Sequence, residues 1–529
     1  MMERRTEHAT HTVFNQPPPL EDYNVFAVDR PLTEALRREG ADWAEERARA
    51  FGEIAGRRET IAWGFQANEN RPVLRTHDRA GNRIDEVEFH PSWHSLLSLA
   101  IEHGLHALPW IEPRPGAHVA RAALFNSLAQ IEAGVGCPLS MTYSAVPALR
   151  QEPEVAAEWE PRVHRGALFG MAMTEKQGGS DVRANTTRAV PLSESDYEIT
   201  GHKWFCSAPM CDAFLVLAQA QGGLTCFLLP RRLPDDTRNR FHIQRLKDKL
   251  GNRSNASSEI ELRSAWARRI GEEGRGVPTI LEMVMHTRLD CVIGSAASMR
   301  QGTAQAIHYA GHRRTFGRTL AGHSLMRNVL ADLAIESEAA TSAMMRLARA
   351  YDGDEGPFQR LATAILKYWT CKRAPVHAAE ALECLGGNGY VEEWPMARLY
   401  REAPLNSIWE GSGNIQCLDV LRAMAKTPES VEAFLEEVGQ ARGGDDRLDL
   451  YAARLMEDLR RIDEAEARRI VERLALALQA SLLVRHAPQA VADAFCATRL
   501  AGDWGRAFGT LPSGTDFAAI LERHGPSGP

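Results

Sequence analysis

The sequence predicts a mainly α-helical protein with a small antiparallel β-domain in the middle of the chain. Three observations support this fold class. Apolar residues recur at helical spacing up to about residue 165, short runs bounded by Gly, Pro and Asp replace them up to about residue 275, and long helical patterns then return. A chain of 529 residues is too long for one hydrophobic core, so we expect several domains.

The chain begins with a polar segment, residues 1–30, which three consecutive prolines at 17–19 interrupt. Because proline fixes φ and lacks a backbone donor, this segment is predicted to be an extended arm rather than a domain. Residues 31–165 then carry apolar residues at helical spacing, most clearly over 32–51, 94–103 and 119–134. We expect a helical first domain there.

The period of the pattern changes over residues 166–275. Short runs that alternate in polarity, or are rich in β-branched and aromatic residues, predict strands at 197–200, 213–218, 225–229 and 258–262. Turn-forming residues separate these runs, as is usual between antiparallel strands. This segment is therefore predicted to be a small β-domain.

Residues 276–438 return to helical spacing. Pro278 suits the first turn of a helix, and the pattern predicts a long helix over 279–313, two more over about 324–352 and 358–385, and a shorter one from Gly413. Long helices joined by short loops form bundles. Residues 440–446 are predicted to be a linker, and residues 447–529 a carboxy-terminal helical domain with ten arginines and ten acidic residues from position 450 onward.

The overall composition excludes several classes of function. The formal net charge is −7, so nucleic-acid binding would need a local basic patch. The nine cysteines are odd in number and form no CxxC pair, so neither a disulfide framework nor a metal site is expected. The polar amino terminus and the lack of a long apolar run predict a cytoplasmic protein with no membrane partner.

The densest chemical signal lies in residues 170–182 and 201–207. Adjacent Gly178 and Gly179 let backbone N–H groups approach a ligand, and a threonine and a serine flank them with hydroxyls. Such a loop suits an anionic or carbonyl-rich ligand, such as a phosphate or the edge of a flavin ring. Its chemistry by itself, however, favours an ordinary polar turn.

The order of residues in this stretch adds information that its chemistry lacks. The run Met173-Thr-Glu-Lys-Gln-Gly-Gly-Ser-Asp-Val182, followed by Gly201-His-Lys-Trp-Phe205, resembles the flavin-binding segment of acyl-CoA dehydrogenases, in the form of the AidB, or alkylation-response, branch. Three further stretches agree, in order along the chain: His11-Thr-Val-Phe-Asn-Gln16, Lys247-Asp-Lys-Leu-Gly-Asn-Arg-Ser-Asn-Ala256 and Asn406-Ser-Ile-Trp-Glu-Gly-Ser-Gly-Asn-Ile415.

The resemblance runs from residue 11 to at least residue 425. It implies an acyl-CoA dehydrogenase-like architecture, with a helical domain, a β-barrel-like domain, a four-helix bundle and an extra carboxy-terminal helical domain. It also implies a homotetramer that is built as a dimer of dimers.

The resemblance implies FAD as the cofactor. Thr174 and the backbone of residues 171–173 would meet the edge of the isoalloxazine ring, and Ser207 would lie near flavin N5. Arg313 and Phe316 resemble the motif that reaches the FAD of a neighbouring subunit. The full set of implied cofactor-binding residues is Met171, Met173, Thr174, Gly179, Ser180, Phe205, Cys206, Ser207, Arg313, Phe316, Gly386, Gly387, Ile408, Trp409, Gly411, Ser412 and Asn414.

The resemblance also implies a catalytic base, Glu410, which would take the α-proton of an acyl thioester while FAD accepts the β-hydride. A carboxylate in a desolvated pocket has a raised pKa and becomes an effective base. From the residues alone, Glu410 is better explained as a carboxylate that the amino terminus of the next helix stabilises. The position at which other branches carry their base is Thr287 here, beside Arg288.

Two functions are compatible with these motifs, whereas intact cofactor motifs disfavour a flavin-free structural assembly. The first is FAD-dependent α,β-dehydrogenation of an acyl-CoA or a related thioester. The second is a flavoprotein that binds double-stranded DNA and protects it in the alkylation response, with weak residual dehydrogenation. The second needs arginines gathered on one surface, and paired opposite charges argue for a solvated helix face instead. The candidates for contact with DNA are Arg485, Arg499, Arg506 and Arg523.

Overall fold

The structure is a computed structural model that describes residues 10–353, 355–460 and 462–526. Its amino-terminal region is helical, as predicted, and a hairpin of two strands interrupts it. That hairpin was not predicted, because its strands, VLRTH and RIDEVE, are short and mostly polar. In chain order the elements are α1 (Arg30–Arg38), α2 (Glu45–Ala55), α3 (Arg58–Glu69), β1 (Val73–His77), β2 (Arg83–Glu88), α4 (Pro91–Glu102), α5 (Leu108–Ile111), α6 (Ala117–Ala129), α7 (Gly136–Leu149) and α8 (Pro153–His164).

The middle region forms one sheet of seven strands: β3 (Phe169–Ala172), β4 (Arg188–Pro191), β5 (Asp196–Ser207), β6 (Ala213–Ala220), β7 (Gly223–Pro230), β8 (Phe241–Leu246) and β9 (Ser257–Ile270). The strand order is β3-β6-β4-β5-β9-β7, with β8 on β9, and the pairing of β6 with β7 closes a barrel-like sheet. Most pairs are antiparallel, as predicted, but β3 and β4 pair with β6 in parallel. Residue alternation cannot reveal this, since it identifies the faces of a strand and not its neighbours.

Long helices follow the sheet and confirm the predicted fold class. They are α9 (Gly276–His312), α10 (Ser324–Arg349), α11 (Gly356–Glu383), α12 (Gly387–Tyr390), α13 (Pro395–Glu402) and α14 (Gly413–Lys426), with a small hairpin of β10 (Arg314–Thr315) and β11 (Arg318–Thr319) after α9. Helix α9 contacts α6 and α7 as well as α10 and α11, so it joins the first region to the bundle. Gly302 permits the close approach of α9 to α11, because a Cβ there would lie 3.3 Å from the Cβ of Ala381.

The carboxy-terminal helices rest on this bundle. They are α15 (Pro428–Gly439), α16 (Asp446–Asp458), α17 (Ala467–His486), α18 (Gln489–Phe495) and α19 (Phe517–Glu522). Helix α17 packs against α10, α11 and α14, and its buried Leu474 and Leu478 belong to the same hydrophobic core as the first region. Within the described ranges, no helix has both the length and the apolar character that a bilayer crossing requires.

Candidate active site

The loop that carries Glu410 is strained. It connects a single helical turn, residues 405–407, to the start of α14. Glu410 has φ +57° and Gly411 has φ +94°. A non-glycine residue in the left-handed region costs about 1–3 kcal/mol and persists only where its surroundings hold it. This observation points from the backbone itself toward a functional role for Glu410.

Three buried side chains hold the carbonyl groups of this loop. Lys367 Nζ donates to the carbonyl of Trp409 at 2.7 Å and to that of Gly411. Arg288 Nε donates to the carbonyl of Glu410 at 3.0 Å, and Gln416 Nε2 donates to the same oxygen at 2.9 Å. Because these bonds involve only the backbone of the loop, the carboxyl group of Glu410 is left available for chemistry.

Glu410 is partly exposed as a residue, while its carboxyl group lies deep in the fold. Burial raises its pKa above the ordinary value, while a hydrogen bond from Thr287 and the charges of Lys367 and Arg288 oppose that rise. Thr287 Oγ1 donates to Glu410 Oε2 at 2.8 Å; the same hydroxyl is 3.0 Å from the carbonyl of Val284, and its single proton favours the charged acceptor. A carboxyl with a raised pKa and one fixed partner is suited to taking a proton.

We predict that Thr287→Val moves the acidic limb of the pH–rate profile for flavin reduction to higher pH. The base must be ionised to act, so the rate rises with pH through its pKa. Removing the donor that favours the carboxylate raises that pKa further. Thr287→Ser keeps the hydroxyl and serves as the matched control, and an unshifted limb in the valine variant would contradict the assignment. Stopped-flow measurement across a pH series makes the comparison.

The predicted flavin-binding loop is anchored by a buried ion pair that the motif analysis missed. Glu175 and Lys203 are both fully buried, with Lys203 Nζ 2.9 Å from Glu175 Oε1. Glu175 also accepts from the backbone N–H groups of Thr186 and Thr187. Burial raises the pKa of Glu175, but the charge of Lys203 and these hydrogen bonds outweigh it and hold the pKa at about 2. The pair therefore ties the loop after β3 to strand β5.

The glycine before Ser180 is required by the shape of this loop. A Cβ at Gly179 would lie 2.4 Å from the hydroxyl oxygen of Thr174. The carbonyl of Thr174 accepts from the N–H of Trp204 at 2.8 Å, so the loop runs beside strand β5. Ser180 itself is exposed, as a group that contacts a bound phosphate needs to be.

A β-bulge in strand β5 decides which of its residues face outward. The register of β5 on β9 shifts between Lys203 and Cys206, so Trp204 and Phe205 both stand outside the barrel. Lys247 Nζ lies over both rings, 3.4 Å and 4.6 Å from their centroids. Cys206 is 0% exposed and points into the barrel core. Its thiol is therefore turned away from the outer face, and the predicted cofactor contact at this position would use its backbone.

The thiol of Cys137, at the start of α7, is influenced by both Ser207 and Glu410. Burial raises the pKa of the Cys137 thiol to about 11, while Lys249 and hydrogen bonds with Ser207 and Asn255 lower it and the charge of Glu410 raises it. The predicted flavin N5 contact and the predicted base thus both affect the pKa of this one thiol. No signal in the sequence singled out Cys137, because a lone cysteine before proline carries no motif.

The other predicted cofactor residues fall into three groups. Met171 is buried in strand β3, and Met173 and Trp409 are partly buried against the core. Gly386 has φ +59° and Gly387 begins α12. The third group is exposed or largely so, and comprises Ile408, Ser412, Asn414 and, at the hairpin after α9, the 97% exposed Phe316, next to the partly exposed Arg313.

The four arginines proposed for DNA do not form one surface. Arg499 is only 2% exposed and pairs with two carboxylates of α10. Arg485 and Arg523 also pair with glutamates, and their side chains are 16% and 9% exposed. Carboxylates already occupy these three guanidinium groups, so their predicted contact with phosphate is corrected. Arg506 is the exposed member of the set.

We predict that Arg499→Ala lowers the free energy of unfolding by about 3–5 kcal/mol, because it leaves the buried carboxylates of Asp332 and Glu336 without this partner. The exposed Arg506→Ala is the matched control and should change stability by less than about 0.5 kcal/mol. Denaturant titration of both variants measures the effect. Full stability of Arg499→Ala together with weaker DNA binding would overturn this structural role.

Family models match most of the chain. A model described as the adaptive response protein AidB N-terminal domain matches residues 15–167, the acyl-CoA dehydrogenase middle domain matches 170–265, and the acyl-CoA dehydrogenase C-terminal domain matches 274–425. AidB of Escherichia coli (strain K12), itself named as an acyl-CoA dehydrogenase, is 45% identical over 511 residues, which is 93% of this chain and 94% of that protein.

Two solved structures agree with this result. That of ACDH-11 from Caenorhabditis elegans in complex with C11-CoA superposes with a TM-score of 0.86 at 28% identity, and covers 93% of each chain. Butyryl-CoA dehydrogenase from Megasphaera elsdenii gives a TM-score of 0.61 at 22% identity, over 75% of this chain and 98% of that one. The second similarity concerns the fold alone.

Proposed function

Because this chain belongs to the acyl-CoA dehydrogenase family, in its AidB-like branch, we propose that it binds FAD and dehydrogenates an acyl-CoA or related thioester at Cα and Cβ. The observation that carries the proposal is Glu410, a carboxyl with a raised pKa that its fold holds in a strained conformation. Structural anchoring alone would not require that strain.

The residues present fit a bound flavin. Gly179 leaves room beside the Thr174 hydroxyl, and the bulge in β5 turns Phe205 outward next to Ser207, which is partly exposed. We assign Thr174, the backbone of 171–173 and Ser207 to the ring, and Ser180 and Asn414 to the diphosphate. When bound, FAD supplies the acceptor for the β-hydrogen as hydride.

The chain's own residues supply the proton chemistry. Glu410 takes the α-proton at a carboxylate oxygen, and the hydrogen bond from Thr287 keeps that group ionised and oriented. Lys367, Arg288 and Gln416 hold the loop, so the carboxylate does not have to reorganise during the step. Asp419 pairs with Arg288 at 2.8 Å and fixes that guanidinium against the loop.

We also propose a homotetramer, built as in the family from pairs of dimers. Phe316, Leu325 and Tyr390 are 97%, 84% and 81% exposed in the single chain. A homotetramer would cover these side chains, as partners commonly cover contiguous exposed apolar surface. The exposed Phe316 is then free to approach the FAD of a neighbouring subunit.

The DNA-protection hypothesis has weaker support. Three of its four candidate arginines lie in ion pairs with carboxylates, and the formal net charge is −7.

The proposed function is tested by mixing the flavin-loaded protein anaerobically with short, branched and long acyl-CoAs and following flavin bleaching. Bleaching by at least one thioester is expected. No bleaching by any thioester, combined with salt-dependent DNA binding, would reverse the order of the two hypotheses.

A further inference from the structure

The amino-terminal arm is bonded to the hairpin after α9 through one residue, Asn15. Its side-chain Nδ2 donates to the carbonyl of Arg314 at 2.8 Å, and its Oδ1 accepts from the N–H of Arg314 at 2.7 Å. Arg313 Nη1 donates to the backbone carbonyl of Asn15 at 2.7 Å. A carboxamide that bonds both backbone groups of one residue acts like a neighbouring strand. The arm therefore completes one edge of this hairpin.

The turn of the hairpin is strained, and one side-chain bond supports it, from Arg314 Nη2 to the carbonyl of Gly317 at 2.9 Å. Phe316 and Gly317 have φ +50° and +83°, the pattern of a type I′ turn, in which Asn or Asp usually takes the first place. A bulky residue in the left-handed region is an outlier. Phe316 is 97% exposed, so packing within this chain does not offset the strain. The paired strands at the base of the turn also hold it, and Asn15 bonds to one of them.

The arm also touches the glycine loop, residues 386–389, two of which the resemblance implies as cofactor-binding residues. Gln16 Oε1 accepts from Asn388 Nδ2 at 3.4 Å, in the loop that begins at Gly386. Pro18 contributes its carbonyl to His308 Nε2 at 2.8 Å, on the last turns of α9. One short segment thus braces both the hairpin and the glycine loop, which are distant in the sequence.

The same segment carries two exposed apolar side chains of its own. Val13 and Phe14, which directly precede Asn15, are 74% and 79% exposed. Neither side chain serves the core of its own chain. A second copy of the chain, which would carry the cofactor that Phe316 approaches, is the partner that these exposed side chains fit.

We propose that residues 13–16 of the arm form part of the contact with a second copy of this chain, and that Asn15 is a positioning residue that sets the Arg313–Phe316 hairpin against the FAD of that copy. This inference rests on the proposed function, from which it takes the cofactor and the subunit pair. It adds a segment outside the flavin-binding motifs to the cofactor site.

The test is Asn15→Gly in the full-length protein. Glycine accepts φ +57° without strain and removes both side-chain hydrogen bonds, while the bond from Arg313 to the backbone carbonyl is kept. Equilibrium binding of FAD to the deflavinated protein should weaken roughly tenfold, since two hydrogen bonds are lost. The melting temperature of the deflavinated protein should not change. Asn15→Asp keeps the hydrogen-bond acceptor but loses the donor. Its affinity for FAD should therefore lie between that of Asn15→Gly and that of the unaltered protein.

Thr10→Ala is the matched control, because the Thr10 hydroxyl bonds to the side chain of the adjacent His11. It should bind FAD like the unaltered protein. If Asn15→Gly also binds FAD like the unaltered protein, the proposal about the arm is wrong. The proposed function still stands in that case, as long as the unaltered protein binds FAD and a thioester bleaches its flavin. If the unaltered protein binds no FAD, both proposals fail together.

Discussion

Replacing Glu410 by glutamine is expected to slow flavin reduction by an acyl thioester roughly a thousandfold, within the range that a positioned general base contributes. Glutamine has nearly the same shape, and its carbonyl oxygen can accept from Thr287. The bonds that hold the loop come from Lys367, Arg288 and Gln416 to backbone carbonyls, so the substitution leaves them in place. The variant loses only the ability to take a proton.

Anaerobic stopped-flow measurement of flavin bleaching gives this rate, and the flavin content of the purified variant shows whether the cofactor site is intact. Glu429→Gln is the matched control, since it makes the same chemical change at an exposed position of α15. A Glu410→Gln variant that is reduced as fast as the unaltered protein would assign the base to another residue.

Replacing Lys203 by methionine is expected to lower the free energy of unfolding by about 3–5 kcal/mol, because it leaves the carboxylate of Glu175 buried without its partner. The flavin-binding loop should lose its attachment to β5, and FAD affinity should fall with it. Combining Lys203→Met with Glu175→Leu removes both charges and should restore part of the stability. If Lys203→Met alone lowers the free energy of unfolding by no more than the double substitution does, the ion pair does not stabilise the fold in this way.

The pH dependence of this effect has a definite sign. The folded-state pKa of Glu175 is about 2, below its ordinary value of 4.5, so its contribution to stability is present above about pH 4.5 and is lost as the pH falls toward 2. Without Lys203, burial raises the pKa of Glu175, and the uncompensated charge is relieved when the group is protonated. The destabilisation by Lys203→Met should therefore shrink as the pH is lowered, in denaturant titrations at several pH values.

The sequence allowed the fold class to be predicted because long helices and short strands leave clear periodic patterns. It did not reveal the pairing of Glu175 with Lys203, since nothing local shows that two residues separated by a turn and a strand become one buried pair. Nor did it show that Arg499 is buried, because an arginine on an amphipathic helix has the same pattern whether it faces water or a carboxylate.

The candidate base illustrates what a resemblance adds. Local chemistry favoured a carboxylate at a helix terminus, and only the resemblance singled out Glu410 as a base. The strained backbone of Glu410 is held by side chains that donate to the carbonyl groups of its loop. These donors belong to α9 and α11, which lie far away in the sequence. Cys137 was missed because a lone cysteine before a proline carries no motif.

The most direct test of the proposed function uses an acyl-CoA that bleaches the flavin, prepared with deuterium at Cα and Cβ. Both carbon–hydrogen bonds break in the reductive step, so the deuterated thioester should bleach the flavin several-fold more slowly than the unlabelled one. Glu410→Gln should remove the fast phase of bleaching with both thioesters. Equal rates for the two thioesters under conditions where binding is saturated, or no bleaching by any thioester, would contradict the assignment of this chain as an acyl-thioester dehydrogenase with Glu410 as its base.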